Sequence, residues 1–406
     1  MSNELDQNDH RRLGPALGLF HIQDDAAGSV FWHEKGWTLF QTIEAYIRSE
    51  MKAGGYGEVR TPQLYDRTLF AASGHLNHYA NNMFQIDAFR GTKEQGGPVV
   101  DLGKAFKPMN CPGHVQIFNK KNVSYRDLPL RMSEFGCCHR NEPSGSLHGI
   151  MRLRQFTQDD AHIFCAEDQV GDEALAFIKM LRRVYERFGF EVEEVALSLR
   201  PDSRAGEDAL WDRAESALEM AVVAAGLPYR TQAGEGAFYG PKLEFSLKDC
   251  MGRVWQCGTI QLDFVLPERL GAHYTDRDGQ KKHPVMLHRA ILGSLERFIG
   301  ILLEHYEGKL PTWLAPVQAV VIAPDHKNTL WADQIVAHLE GMDVRVVLDA
   351  RDENMKQKVK DHSLMSVPYI IVAGAKDMAK SGVMLRTLGS DEIQFVKSEE
   401  LGALFR

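Results

Sequence analysis

The chain has 406 residues, of which 44 % are hydrophobic and 25 % charged, with a formal net charge of −8. This balance fits a soluble globular protein of two or three domains at roughly 100–200 residues each. It excludes a membrane span, because no apolar run approaches the roughly 20 residues required, and it argues against indiscriminate nucleic-acid binding, although a local basic groove can still hold RNA.

In chain order, residues 38–51 carry Phe40, Ile43, Ile47 and Met51 at helical spacing, and Gly54-Gly55 stop the pattern. Two extended runs, 131–142 and 151–164, flank a loop, Pro143-Ser144-Gly145-Ser146-Leu147-His148-Gly149-Ile150. Helical stripes return over 174–188 and 211–225, closed by Gly189 and Gly226, and such stripes are core faces. Val195, Leu197 and Leu199 alternate with polar or small residues, as Leu243, Phe245 and Leu247 do with Lys242, Glu244 and Ser246. A long extended run, 254–264, has Gly258 inside it. Long strands with interleaved helices predict an α+β core, a mostly antiparallel sheet flanked by helices.

A boundary falls at Pro311-Thr312-Trp313-Leu314-Ala315-Pro316. Beyond it, short apolar strands at 317–322, 344–348 and 369–372 alternate with helical stretches at roughly 327–340 and 353–362, which predicts a small α/β domain with a largely parallel sheet. Domains of 1–312 and 313–406 follow. Residues 1–12 are polar and charged, unlike a signal peptide. None of the six cysteines forms a C-x-x-C pair, so reduced thiols in a cytoplasm, open to metal binding, are expected over a disulfide framework.

Chemistry concentrates in 131–164. Strand parity puts Arg152, Arg154, Phe156, Gln158, Asp160 and His162 on one face. A solvated face accommodates such residues, and so does the floor of a polar cleft. The opposite parity, Leu153, Thr157, Asp159, Ala161 and Ile163, is hardly a better core. In a cleft each type has a use. Arginine forks match phosphate oxygens, an aromatic face stacks a base, a carboxylate holds an ammonium group and histidine binds metal. Arg140 ends the facing run with another fork.

Five segments now compare with a known family: Pro108-Met109-Asn110-Cys111-Pro112-Gly113-His114, Cys138-His139-Arg140-Asn141-Glu142-Pro143-Ser144-Gly145, Phe156-Thr157-Gln158-Asp159-Asp160-Ala161-His162-Ile163-Phe164, Gly234-Glu235-Gly236-Ala237-Phe238-Tyr239-Gly240-Pro241-Lys242 and His288-Arg289-Ala290-Ile291-Leu292-Gly293-Ser294-Leu295-Glu296-Arg297. In these segments the chain resembles the threonyl-tRNA synthetases, a class II aminoacyl-tRNA synthetase family, from about Asp9 to its C-terminus. The resemblance implies a class II catalytic core and an anticodon-binding-like domain, threonine activation with ATP, and transfer to tRNA. Pro62, in Glu58-Val59-Arg60-Thr61-Pro62, fits the first class signature, which implies a homodimer; Arg140 and Glu142 fit the second and Arg297 the third. By the same resemblance Arg140 grips the α-phosphate, Glu142 reads the adenine amino group, Arg152 holds the γ-phosphate, and Phe156 and Arg297 sandwich the base. Lys242 lies near the phosphates, Gln256 near the nucleotide, and Mg²⁺ bridges the phosphates.

The resemblance also implies a zinc ion on Cys111, His162 and His288, far apart in sequence and no local zinc motif. Such a three-ligand site leaves positions for threonine's amino and hydroxyl groups, and valine, lacking the hydroxyl, leaves the metal unsatisfied. Gln158, Asp160, Tyr239 and Gln261 surround the same ligand, and His75 helps deprotonate the tRNA ribose. Gln256 and Gln261 have opposite strand parity, so sending both to the site requires a bulge near Gly258-Thr259.

The sequence departs from the family in three ways. The N-terminal region that edits mischarged seryl-tRNA in bacterial-type members is not seen, so editing is expected to be absent or supplied by a separate protein. The stretch 81–107 is longer than usual, and Gln155 replaces a common glycine. At the expected anticodon-reading points, Asp352 and Asp377 replace other residues, and Arg386 is kept without the basic run that follows it in the family. Carboxylates near RNA cost affinity. Competing readings are therefore a ligase delivering threonine to a non-tRNA acceptor, a spare synthetase resistant to an inhibitor, and a non-catalytic sensor of threonine or uncharged tRNA.

Overall fold

The computed structural model describes residues 5–86, 103–249, 251–327 and 329–405, so most of the lengthened stretch 81–107 lies outside the described residues. The chain divides into two compact units, one of residues 24–29 and 44–298, the other of residues 1–23, 30–43 and 299–406.

The first unit is built on an eight-stranded sheet. In chain order its strands are β1 (Gly57–Glu58), β2 (Leu130–His139), β3 (Gln155–Cys165), β4 (Glu194–Ser198), β5 (Arg230–Gln232), β6 (Lys242–Lys248), β7 (Val254–Asp263) and β8 (Val285–Ser294). Their order across the sheet is β5-β4-β6-β7-β8-β3-β2-β1. Only β5–β4 and β2–β1 pair in parallel; the other pairings are antiparallel. The expected stripes form helices Val170–Arg187 and Asp208–Ala224, which bury Phe177, Ile178, Leu181 and Val184, and Trp211, Leu218 and Val222. β3 is an inner strand buried along most of its length, so of the two readings of its polar alternation the solvated face is excluded.

Two irregularities aim side chains. On β7 the partners slip from Phe245↔Gly258 to Ser246↔Gln256, leaving Cys257 as the extra residue. The bulge lies immediately before Gly258, where the two glutamines required it. On β8 the register slips between Ala290↔Asp160 and Ser294↔Gln158. The loosened amides of Ile291, Leu292 and Gly293 all donate to the Asp159 carboxylate, at 2.8, 3.1 and 2.9 Å. Gly293 there has φ of 80°, in the left-handed region that favours glycine. Asp159 is thus a core residue, and the poor look of its face in sequence has a cause: the carboxylate serves backbone groups more than a hundred residues away.

In the second unit, β9 (Ala319–Ile322), β10 (Val346–Asp349), β11 (Tyr369–Val372), β12 (Gly382–Thr387) and β13 (Ile393–Lys397) form a sheet in the order β10-β9-β11-β12-β13. The first three are parallel, as expected, but β12 and β13 return antiparallel, so the sheet is mixed where a largely parallel one was predicted. β13 is an edge strand with mostly exposed side chains, which removes the apolar signal by which strands are read. Helices Leu330–Glu340 and Met355–Leu364 supply Ile335, Leu339 and the fully buried Lys358, whose Nζ donates to the Ala323 carbonyl at 2.9 Å.

Candidate active site

The polar face of β3 is roofed by the helix Cys111–Phe118. Asn110, just before that helix, donates its amide to Asp160 Oδ2 at 2.9 Å. Gly136 on β2 makes room for it, since a Cβ there falls 2.2 Å from the Asn110 amide oxygen. His162 sits opposite His288 of β8 in register, and its Nε2 lies 2.9 Å from His288 Nδ1. Cys111 Sγ completes the group: the three ligand atoms lie within 4.8 Å of one another. Tyr239 packs its ring 5.6 Å from that of His288 and donates its hydroxyl to Gln261 Oε1 at 2.9 Å, so Gln261 faces this side of the sheet. A cavity of about 310 Å³ opens here, lined by Cys111, Tyr239, Asp263, His288, Met109 and His75.

The donor chemistry fits a divalent cation. His288 Nε2 lies 2.9 Å from Asp263 Oδ2, so the proton belongs on Nε2 and the Nδ1 lone pair points inward. That lone pair meets His162 Nε2, and the nitrogens of two imidazoles on one tetrahedral zinc lie about 3.3 Å apart, close to the spacing seen. Burial, with His114 and His288 beside it, holds the His162 pKa well below its ordinary value, so the ring is neutral and free to ligate. Burial, with Asp160 and Asp263 nearby, pushes the Cys111 thiol well up, an unfavourable arrangement that a cation reverses by binding the thiolate. Burial also raises the Asp160 carboxyl against the pull of His114 and the Asn110 amide. A second buried trio, Asp9, His10 and Glu304, is committed internally: Asp9 takes two bonds from the Arg11 guanidinium, and His10 Nδ1 lies 2.7 Å from Glu304.

Away from the cavity, the β2–β3 end carries the arginines. The Arg140 guanidinium stands 5.0 Å from the centre of the Phe156 ring, and its Nε donates to the Pro108 carbonyl at 3.3 Å. Arg152 pairs with Glu142 at 3.0 Å. Arg297 donates to the carbonyls of Met151 and Gln256, at 2.9 and 3.2 Å, and burial lowers its pKa, with Arg140 and Arg152 adding to the effect. The structure therefore gathers Arg140, Glu142, Arg152, Phe156, Gln256 and Arg297 by these contacts. Lys242, on β6 opposite Gln261, pairs with Glu244 at 2.8 Å. His75 lies near the metal group, its Nε2 3.8 Å from Cys111 Sγ and its Nδ1 2.8 Å from the Ser73 hydroxyl. In the second unit, Asp352 pairs with His326 at 3.0 Å, Asp377 accepts from the Gly374 amide at 3.1 Å, and Arg386 pairs with Asp391 at 3.0 Å.

Sequence reasoning assigned no role to Asn110, His114, Glu134, Asp159 or Asp263. His114 stands within a segment that carried the resemblance, yet only the fold brings its ring to His162.

Residues 101–306 match the family of the tRNA synthetase class II core domain (G, H, P, S and T), and 318–406 match the anticodon binding domain family. A solved structure, the RNA binding domain of threonyl-tRNA synthetase from Cryptosporidium parvum Iowa II, superposes with a TM-score of 0.89 at 37 % identity, covering 98 % of this chain and 97 % of that one. The chain belongs to the threonyl-tRNA synthetase family. A threonine–tRNA ligase of Parvibaculum lavamentivorans is 54 % identical over 404 residues, 98 % of this chain and 62 % of that protein. One of Laribacter hongkongensis is 55 % identical over 393 residues, 97 % of this chain and 60 % of that protein. The chain thus spans about three fifths of the length of these curated relatives. No helix among the described residues is long and apolar enough to cross a membrane.

Proposed function

We propose that the chain is a cytoplasmic threonine–tRNA ligase that condenses L-threonine with ATP and passes the threonyl group to tRNA. One observation carries the reading: two imidazole nitrogens and a thiol sulfur converge beside a buried carboxylate, at one end of a sheet whose other polar cluster is arginine-rich. Bound zinc would supply a Lewis acid that recognises the threonine amine and hydroxyl together. Cys111, His162 and His288 hold it, and Asp160 faces the ammonium group. Gln158, Tyr239 and Gln261 border the same substrate, the last two already joined by a hydrogen bond.

Arg140, Arg152, Phe156 and Arg297 hold the nucleotide. Arg152 exchanges Glu142 for the γ-phosphate, which frees the Glu142 carboxylate for the adenine amino group. Phe156 and Arg297 stack on the base, Gln256 and Lys242 complete the polar lining, and Mg²⁺ accompanies the phosphates. The threonine carboxylate then displaces pyrophosphate in line. Arg140 neutralises charge on the α-phosphate as it develops, so positioning and electrostatics supply the rate. His75, with its Nδ1 on Ser73, assists deprotonation of the ribose hydroxyl in the transfer step.

The division into 1–312 and 313–406 accords with family matches that end at 306 and begin at 318. Asp352, Asp377 and Arg386 are proposed to border the anticodon. A homodimer through the Pro62 region is supported by the exposed edge strand β1 next to it. Threonine-dependent ATP–pyrophosphate exchange, followed by charging of a threonine tRNA with the same preparation, tests the function. Exchange without charging would point to a non-tRNA acceptor.

A further inference from the structure

Behind His162, beyond its Nδ1, a chain of buried groups runs through the first unit. His162 Nδ1 lies 2.7 Å from His114 Nδ1, and His114 Nε2 lies 3.0 Å from Glu134 Oε2. Glu134 also accepts from the Thr61 amide at 2.9 Å, the Thr61 hydroxyl at 2.8 Å and Lys107 Nζ at 2.9 Å, and Lys107 Nζ lies 2.8 Å from the Thr61 hydroxyl. The side chains of Glu134, Lys107 and His114 are each at most 3 % exposed. So many buried polar atoms in one network are costly unless every one is satisfied, and here they are.

We propose that Glu134, held by Lys107 and Thr61, is a positioning residue that fixes the proton pattern of His114 and so turns the His162 Nε2 lone pair toward the metal. Hydrogen-bond directions decide it, given the zinc site proposed above. Between two facing Nδ1 atoms only one can carry the hydrogen. If His114 carried it, its Nε2 lone pair would confront the Glu134 carboxylate, and His162 would then hold its proton on the ligand nitrogen. With Glu134 ionised and His114 neutral, the proton pattern runs the other way. His114 Nε2–H donates to Glu134, His162 Nδ1–H donates to His114, and His162 Nε2 is left bare. The carboxylate is ionised in the fold: burial alone would raise its pKa, but the bonds from His114, Thr61 and Lys107 outweigh this and bring it to about 2. Asp263 does the same for His288 in one step. His162 reaches Glu134 through His114, which projects from the helix Cys111–Phe118 above the sheet. Thr61 adjoins Pro62, so the relay ends at the segment proposed to meet a second copy of the chain.

The test compares zinc content by mass spectrometry and zinc-release rate to a chromogenic chelator for the whole protein and its Glu134→Gln variant. A carboxamide keeps the shape but offers the wrong proton pattern. Outer partners of metal ligands are worth about 10- to 100-fold in metal affinity, so zinc release should quicken by that factor. The threonine KM should rise, with the ATP KM within about twofold of the parent. A general loosening would instead move both KM values together, and this outcome overturns the proposal. If the parent binds one zinc and Glu134→Gln releases it at the parental rate, the proposal fails while the zinc reading stands. A parent without zinc removes both. Should Glu134→Gln prove insoluble, Thr61→Val decides, because it removes one donor to the carboxylate: several-fold faster release supports the relay and unchanged release overturns it.

Discussion

The cysteine–histidine pocket and the arginine cluster share strand β3 but are prepared in different ways. In the pocket, His162 and His288 are each held by a second group, His114 and Asp263, and their facing ring nitrogens lie 2.9 Å apart. In the cluster, Arg152 is half-exposed and spends its charge on Glu142, and Arg297 is tied to two backbone carbonyls. On the proposed function, the first site is preorganised for a small cation and a small amino acid, and the second exchanges partners when a nucleotide enters. Selectivity is thus expected from the pocket and rate from the cluster.

The sharpest way to break this contrast is Arg140→Ala. If the cluster supplies rate, kcat for pyrophosphate exchange drops by about 100- to 1000-fold, as for loss of one charge-stabilising group. Parental zinc content should remain. A variant that loses zinc as well would show that the two regions are one. Next comes Cys111→Ala, which should abolish stoichiometric zinc and lower the preference for threonine over valine by about 100-fold in exchange assays. Full threonine preference in this variant would remove the metal from the account.

A smaller effect concerns the clamp between the two regions. Asp159→Asn leaves fewer acceptors for the amides of Ile291, Leu292 and Gly293, at a cost of about 1–3 kcal/mol by urea unfolding. Its pH dependence has a defined sign. Burial raises the Asp159 pKa from 3.8 to about 7, against the pull of those amides. A carboxyl whose folded pKa is raised contributes most below its unfolded value and loses that contribution as pH climbs to about 7. The stability gap between parent and Asp159→Asn should therefore shrink from pH 5 to pH 8 and stay level above. A gap that widens with pH contradicts the assignment. The smallest effect is expected from Asp352→Asn, whose exposed pair with His326 is worth about 0–1 kcal/mol, so melting barely shifts. Filter binding should show tRNA affinity rising a few-fold at low salt, the gain disappearing as salt is raised.

Much of this was legible in the chain because some patterns admit one reading. The alternation through Phe156, Gln158, Asp160 and His162 marks a polar strand face. The family resemblance sends two glutamines of opposite parity to one site, which required the bulge found at Cys257. What escaped is the support behind the site. Glu134, His114 and Asp263 act through partners 20 to 73 residues away, and no local spacing announces such a pair. The slip in β8 escaped for a similar reason, since residues 291–293 look like ordinary strand until Asp159 is seen gathering their amides. β13 was missed because an exposed edge strand has no apolar alternation to show.

The most direct test of the whole account is ATP–pyrophosphate exchange by the zinc-loaded protein with threonine, serine and valine in parallel. Threonine and serine both present the amine and hydroxyl that the proposed zinc site would recognise, so both should support exchange, threonine the better, with valine near background. Valine exchanging as well as threonine, or no exchange at all with one zinc bound per chain, would contradict it.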